Sequence, residues 1–573
     1  MSNPDSSYIE TSKKWFDKAL AYDNAKNYKK AIECYDKSTN LNPKYHSAWH
    51  NKGLAYDSLK NYEKSIECYD KVTEIDPKDG HGWSLKGESY FYLKNYEKAI
   101  EYYDKAIELD VEDEFTWYHK GESYFYLKNY EKAISCYDKA IELETEDKET
   151  IYRIRKGISY SRLENYKEAI ECYDKAIEID GDVGYAWSSK GRAHHHLKNY
   201  KKAIACYDKA TKIDPKHETA WLGKGWTYDE LKNYKKAIEC YDKATDIDPK
   251  DWSAWSSKGI AYKKLENYKK AIECYDKAIK FKSKYEIAWF RKGLAYASLK
   301  NYKKAIECYD KATKLDPKDK DAWNNKGWSY SNLKNYKKAI ACYDKATEIN
   351  PKQEKAWNNK GNSYEKLENY KKSIECYDKV TKINPKDSDA WFYQGLAYSN
   401  LKNHKKAITC YDKAIKIDPE SENAWYSKGL AHDFLKNHKK AITCYDKATK
   451  LYPKDERYWH NKGWSYDKLG NSKQAMVCYK KSLKINPNQS YSNNNIAFGL
   501  FLQKKYKDAL VYANKATKFD KNNADAFATK CVILYDLKKY PQSLAAGEKA
   551  VKMGVKDKQT SDCIKKIKKI LKK

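Results

Sequence analysis

Trp-Asn-Asn-Lys-Gly-Trp-Ser-Tyr-Ser-Asn-Leu-Lys-Asn-Tyr-Lys-Lys-Ala-Ile-Ala-Cys-Tyr-Asp-Lys-Ala-Thr-Glu-Ile-Asn-Pro occupies residues 323–351. Shifted by 34 residues either way it returns almost unchanged, with Trp289 and Trp357, Gly293 and Gly361, Tyr302 and Tyr370 in the same slots. A period of this length decides an architecture, because each copy is one supersecondary unit that must pack on its neighbours. Trp323, Gly327, Tyr330 and Leu333 recur at three- and four-residue steps, one face of a helix. Tyr336, Ala339, Ile340, Cys342, Tyr343, Ala346 and Ile349 do the same on a second helix. Leu-Lys-Asn breaks the period between them, with Asn335 suited to a tight turn or to capping the next helix. Pro351 ends the second helix, having no N–H to continue it. Each copy therefore predicts a helical hairpin, and hairpins with two apolar faces must stack into a solenoid.

Gly327 stands in a helix interior, where glycine costs about 1 kcal/mol relative to alanine. Its recurrence predicts a close approach, with Gly327 and Ala339 leaving room for each other's backbones where the two helices cross. The large aromatics then fill the space around that crossing.

Trp-x-x-x-Gly-x-x-Tyr followed by Tyr-x-x-Ala-x-x-x-Tyr-x-x-Ala and a closing Pro resembles the tetratricopeptide repeat, and the match runs in phase through almost the whole chain. The resemblance implies an all-α fold, a right-handed superhelical solenoid of stacked helix-turn-helix hairpins. Two departures stand out. The usual Leu before the Gly is Lys here (Lys52, Lys86, Lys190, Lys326), and Cys usually precedes the second-helix Tyr. The Lys is expected to lay its stem on apolar surface with its charge in water, the Cys to act as a small buried hydrophobe.

Read in order, residues 1–11 are a polar N-terminal tail, and sixteen tandem repeats fill 12–557. The first carries Trp15, Ala19, Tyr22, Tyr28, Ala31 and Tyr35 in the slots. Around 144–155 the phase slips. Gly121 and Gly157 are 36 residues apart, Arg153 holds the Trp slot, and the closing Pro is missing near Val111, Thr145 and Gly181. A longer acidic loop over Glu144–Thr150 and a loose, easily opened contact at Arg153 are expected there. Two degenerate repeats, on Asn493 and Phe527, precede a capping helix over 558–573 with Ile564, Ile567 and Leu571 on one face.

The 573 residues carry a net charge of +31, yet 15% are aromatic, including 55 Tyr, too many for a disordered polar chain. Mean hydropathy is −1.00, and neither a membrane span nor a signal core is in view. A cytoplasmic protein is expected, with no membrane partner. Thirteen of the 15 cysteines share one repeat slot and no C-x-x-C pair occurs, so they read as reduced core thiols and not metal ligands. His194, His195 and His196 lie about 100° apart on a helix and do not close on one metal. No catalytic motif, cofactor signature or small-molecule site is found, and an enzyme is not expected.

Positions that vary between repeats carry the functional expectation. The resemblance implies that first helices line a concave groove. The residues it places there are Arg192, Trp226, Asn324, Trp328, Lys355, Asn358, Asn362, Phe392, Tyr426, Arg457, His460 and Trp464. Asn51, Asn325, Asn359 and Asn461 match the slot with which long arrays of the family hold peptide backbones. Trp226, Trp328 and Trp464 follow the glycine and are surplus to the repeat, as packing between repeats or as anchors for a ligand. The expected function is a non-catalytic scaffold binding protein or peptide segments in the groove. The alternative is nucleic-acid binding through the lysine-rich surface.

Overall fold

The computed structural model describes residues 4–109, 113–144 and 148–572 of the chain. Among them are 33 α-helices, which pair as hairpins and close on a last helix, Lys558–Leu571. The chain divides into two compact units, Met1–Ala288 and Trp289–Lys573, and within each the hairpins stack in chain order.

The quoted stretch forms the helices Lys320–Asn332 and Tyr336–Ile349. Asp319 starts the first by accepting the Ala322 N–H at 3.0 Å, and the Asn335 side chain starts the second by accepting the Lys338 N–H at 3.3 Å. The turn between them puts Lys334, not Asn335, in the left-handed region at φ 59°. Most hairpins repeat this with Lys or Glu, and Gly470 takes the same position at φ 76°. The Trp323 indole donates to the Pro317 carbonyl at 3.1 Å, fastening the hairpin to the end of the preceding helix. The bond recurs at Trp221–Pro215 and Trp425–Pro419, so the closing proline also supplies an acceptor.

Two expectations about the repeat are corrected. A methyl group on Gly327 would meet not the Ala339 backbone but the Tyr343 ring, with Cε1 2.7 Å away. Tyr343 is fully buried, as are Tyr69, Tyr241 and Tyr445 in the same slot, so the glycine makes room for a ring. The lysine before the glycine does not keep its charge in water. Lys326 Nζ lies 2.7 Å from Asp310 of the preceding hairpin and 4.4 Å from the Trp323 ring centre. Burying an ammonium requires such partners. The pair recurs at Lys52–Asp36, Lys86–Asp70, Lys224–Asp208 and Lys258–Asp242, at 2.5–2.7 Å.

The chain ends also depart from expectation. Residues 4–11 are not a tail but the first turns of the helix Pro4–Asn24. Proline suits a first helical position, where its missing N–H costs nothing, and the helix is fixed by Ser12, whose hydroxyl lies 3.1 Å from that of Ser38. In the last helix Thr560, Cys563 and Ile567 are buried while Leu571 stays exposed, so the packed face is shifted from the expected one.

Val111 and residues 145–147 lie outside the described residues. Beyond them, Arg153 donates its Nε–H to Glu149 of its own helix at 2.6 Å. Two residues on, Arg155 donates to Glu122 of the preceding hairpin, which also accepts the Tyr137 hydroxyl, both at 2.5 Å. Tyr152 packs on Tyr118 with ring centres 4.9 Å apart. Charge-assisted bonds and a ring pair replace the missing indole.

Among the described residues no helix is long and apolar enough to cross a membrane. No group of three or more His, Cys, Asp or Glu side chains is placed to hold a metal.

Candidate functional site

The twelve expected groove residues do not converge on one site. Several are committed to packing between hairpins. Asn324 is buried and accepts the Asn359 amide at 3.1 Å, and Asn358 reaches Asp387 of the next hairpin at 3.4 Å. Asn362 accepts the Tyr377 hydroxyl at 2.6 Å within its own hairpin. Phe392 packs on Tyr411 with ring centres 6.0 Å apart. Tyr426 accepts the Asn461 amide at 2.7 Å and packs on Tyr458. Arg457 folds back onto Asp455 through two parallel bonds, at 3.0 and 2.6 Å. Lys355 is exposed.

The slot asparagines divide in the same way. Asn51 and Asn325 donate to carbonyls of their own helices, whereas Asn359 and Asn461 bridge to the first helix of the hairpin before. Of the consecutive histidines, His194 is buried, His195 lies 2.9 Å from the Thr227 hydroxyl, and His196 stacks on Tyr166.

The surplus tryptophans both pack and stay open. Trp226 donates to the Ser257 hydroxyl at 3.0 Å, and Trp328 meets the Tyr302 ring edge-on at 5.5 Å. Each nevertheless remains about 40% exposed, at 41% and 39%.

In the first unit, Arg192 lines a cleft of about 300 Å³ with Arg162, Tyr185 and Ser189. Neither guanidinium has an ion-pair partner among the described residues.

In the second unit, His460 and Trp464 come together in a cleft of about 380 Å³. Its walls are the first helices of four successive hairpins: Glu422–Phe434, Glu456–Lys468, Ser490–Leu502 and Ala524–Asp536. Helical spacing explains the convergence. His460 and Trp464 stand one turn apart, as do Leu430 and Phe434, so each helix turns the same stripe inward.

Asp433 at the cleft wall is buried and accepts the Tyr445 hydroxyl, the Ser465 hydroxyl and the His438 Nδ1–H at 2.8–3.0 Å. His460 Nδ1 lies 2.9 Å from the Ser492 hydroxyl, which itself donates to Ser482. The imidazole therefore carries its proton on Nδ1 and leaves Nε2 as an acceptor. Burial pushes its pKa down to about 4, so it is neutral near pH 7. Sequence reasoning missed Asp433, Asn494 and Asp525, which also line the cleft. Asp433 carried a readable signal, as it is one of the acidic residues set 12 before a buried second-helix Tyr, like Asp57 before Tyr69 and Asp229 before Tyr241.

Family models described as tetratricopeptide repeat match residues 12–45, 46–79, 82–113, 112–182, 184–217, 219–251, 252–285, 287–319, 321–353, 354–387, 388–421, 422–455 and 457–489. No curated protein matches the chain. Among solved structures, the chain is similar to YrrB, titled a TPR protein with an unusual peptide-binding site: 27% identity, 33% of this chain and 96% of that chain, TM-score 0.31. It is similar to the APC/C hetero-tetramer Cut9–Hcn1 at 14% identity, over 91% of this chain and 96% of that chain, with a TM-score of 0.35. PilF of Pseudomonas aeruginosa is similar at 19% identity, over 36% of this chain and 95% of that chain, with a TM-score of 0.34.

Proposed function

Because the chain belongs to the tetratricopeptide repeat family, we propose that it is a non-catalytic interaction scaffold that takes segments of partner proteins on the face formed by its first helices. One observation carries the reading. The cleft at His460 and Trp464 collects aromatic, amide and carboxylate side chains from four consecutive first helices, and the repeat's own packing does not require all of them. Concave, mostly preformed sites with a few oriented polar groups are where ligands bind.

Nucleic acid ranks below a polypeptide as the partner. The +31 charge would favour a polyanion, but the lysines nearest the first-helix core are neutralised by aspartates of the hairpin before. Much of the remaining positive charge sits at the Lys-Asn-Tyr-Lys-Lys turns, away from the cleft.

A pull-down from the source cell tests the reading, comparing the unaltered chain with W464A and with W226A. Partner proteins should be lost with W464A and kept, or only weakened, with W226A. Capture of nucleic acid alone, abolished at high salt, would overturn it.

A further inference from the structure

The cleft between the helices Glu422–Phe434 and Ala524–Asp536 is acidic in a chain of net charge +31. Its polar lining combines two carboxylates and an imidazole with the amides of Asn461, Asn494 and Asn495. Asp433 brings a buried carboxylate that accepts from Tyr445, Ser465 and His438. Asp525 adds an exposed carboxylate with no hydrogen bond or ion pair among the described residues. His460 contributes the unprotonated Nε2.

Asn494, also lining the cleft, is only 8% exposed, and its Oδ1 has no hydrogen-bond donor. A buried acceptor left unpaired is costly, and here it marks a place for a donor from outside.

The rest of the lining is aromatic. Phe434 and Tyr491 are largely exposed at the rim, and the Trp464 ring meets His438 edge-on with centres 5.6 Å apart. The Trp464 ring already draws a cation, since Lys468 Nζ of the same helix lies 5.1 Å from its centre. Lysine or arginine at the entrance is therefore compatible with the field, and a carboxylate is not.

We propose that this cleft is a subsite for an arginine side chain of a bound polypeptide. A guanidinium is planar, permanently charged and donor-only, which matches acceptors on one side and ring faces on the other. Lysine offers the charge without the plane, and citrulline the plane without the charge. The proposal rests on the scaffold reading above and names the chemistry of its occupant.

Fluorescence anisotropy of fluorescein-labelled nonapeptides, identical but for a central Arg, Lys, citrulline or Glu, tests it on the full chain. The Arg peptide should bind about tenfold tighter than the citrulline peptide, with Lys between and Glu weakest. D525N, which alters only an exposed, unpartnered side chain, should weaken the Arg peptide severalfold and leave citrulline unchanged. K468A should strengthen Arg by removing the competing ammonium.

Guanidinium chloride at matched ionic strength should displace the Arg peptide more effectively than sodium chloride. Equal displacement by the two salts would mean that the guanidinium group is not what the cleft recognises. Equal binding of Arg and citrulline, tighter binding of Glu, or indifference to D525N would overturn the proposal, as would no measurable binding of any peptide. If these outcomes occur while partner capture still depends on Trp464, the occupant is wrong and the scaffold stands. If partner capture is also insensitive to Trp464, both fall.

Discussion

Lys326 Nζ lies 2.7 Å from the carboxylate of Asp310, which belongs to the hairpin before it. The two residues are 16 apart in sequence, and neither is explained by its own hairpin. The lysine is nearly buried and the aspartate half exposed, so their losses are not equivalent. Removing Asp310 leaves an ammonium with only the Trp323 ring for company. Removing Lys326 leaves a carboxylate that water can solvate. D310A should therefore destabilise the contact by about 1–2 kcal/mol, whereas K326L, an apolar side chain at a site that resembles the family's usual Leu, should cost less than about 1 kcal/mol. Hydrogen exchange of the helices Tyr302–Leu315 and Lys320–Asn332 reads this directly, since a long repeat array does not unfold as two states. Equal effects would mean that the ring, not the carboxylate, holds the lysine.

Gly327 and Tyr343 make a second pair whose coupling is measurable. G327A gains about 1 kcal/mol of helix propensity but drives a methyl group into a fully buried ring, an overpacking cost of about 1–3 kcal/mol or more. Net destabilisation is expected. In the background of Y343L, where the ring is absent, the same substitution should become neutral or favourable. A double-mutant cycle scored by local hydrogen exchange separates this from a backbone clash, which Y343L would not relieve.

The left-handed lysines are a reserve of stability. Lys334 at φ 59° carries the strain of a non-glycine residue in that region, about 1 kcal/mol. K334G should protect the turn, offset in part by the greater freedom of glycine in the unfolded chain. Gly470 already occupies the equivalent place. K334V should open the turn instead, and protection factors at Asn335 and Tyr336 distinguish the two.

The cysteines fall into two classes that oxidation should separate. The thirteen slot cysteines are buried one to a hairpin, and burial pushes thiols such as Cys68 and Cys342 up to about 12 and about 11. Cys531 and Cys563 instead face each other with sulfurs 3.7 Å apart, and the contact pulls the Cys531 thiol down from its ordinary value. Treatment with diamide should form one disulfide, tying Ala524–Asp536 to Lys558–Leu571, while the slot thiols stay reduced until the chain is denatured. Intact mass and peptide mapping check both statements.

What the sequence made legible was whatever recurs. Trp323, Gly327, Tyr343 and Cys342 stand in slots that repeat every 34 residues, so the hairpin and its core face could be read without coordinates. The Lys–Asp pair was also periodic, but its two halves lie in different hairpins and only the stacking brings them together.

Contacts that occur once left no such trace. Arg155 and Glu122 are 33 residues apart, and nothing in the local sequence around the arginine in the tryptophan slot pointed to the bond between them. The groove residues were chosen by position in the repeat, which located His460 and Trp464. It did not show that Asn324 is held by Asn359 of the next hairpin, a partner set by stacking register, nor that Asn362 and Arg457 are taken up by Tyr377 of the same hairpin and by Asp455 two residues before.

The central claim is that the first-helix face receives a polypeptide. Photo-crosslinking in the source cell tests it most directly, with p-benzoylphenylalanine placed at Tyr491 on the cleft rim and, separately, at Lys345 on the exposed side of a second helix. Discrete protein adducts are expected from position 491, lost when W464A is added, and none of the same adducts from position 345. Equal adducts from both positions, or adducts from 491 that survive W464A, would contradict it.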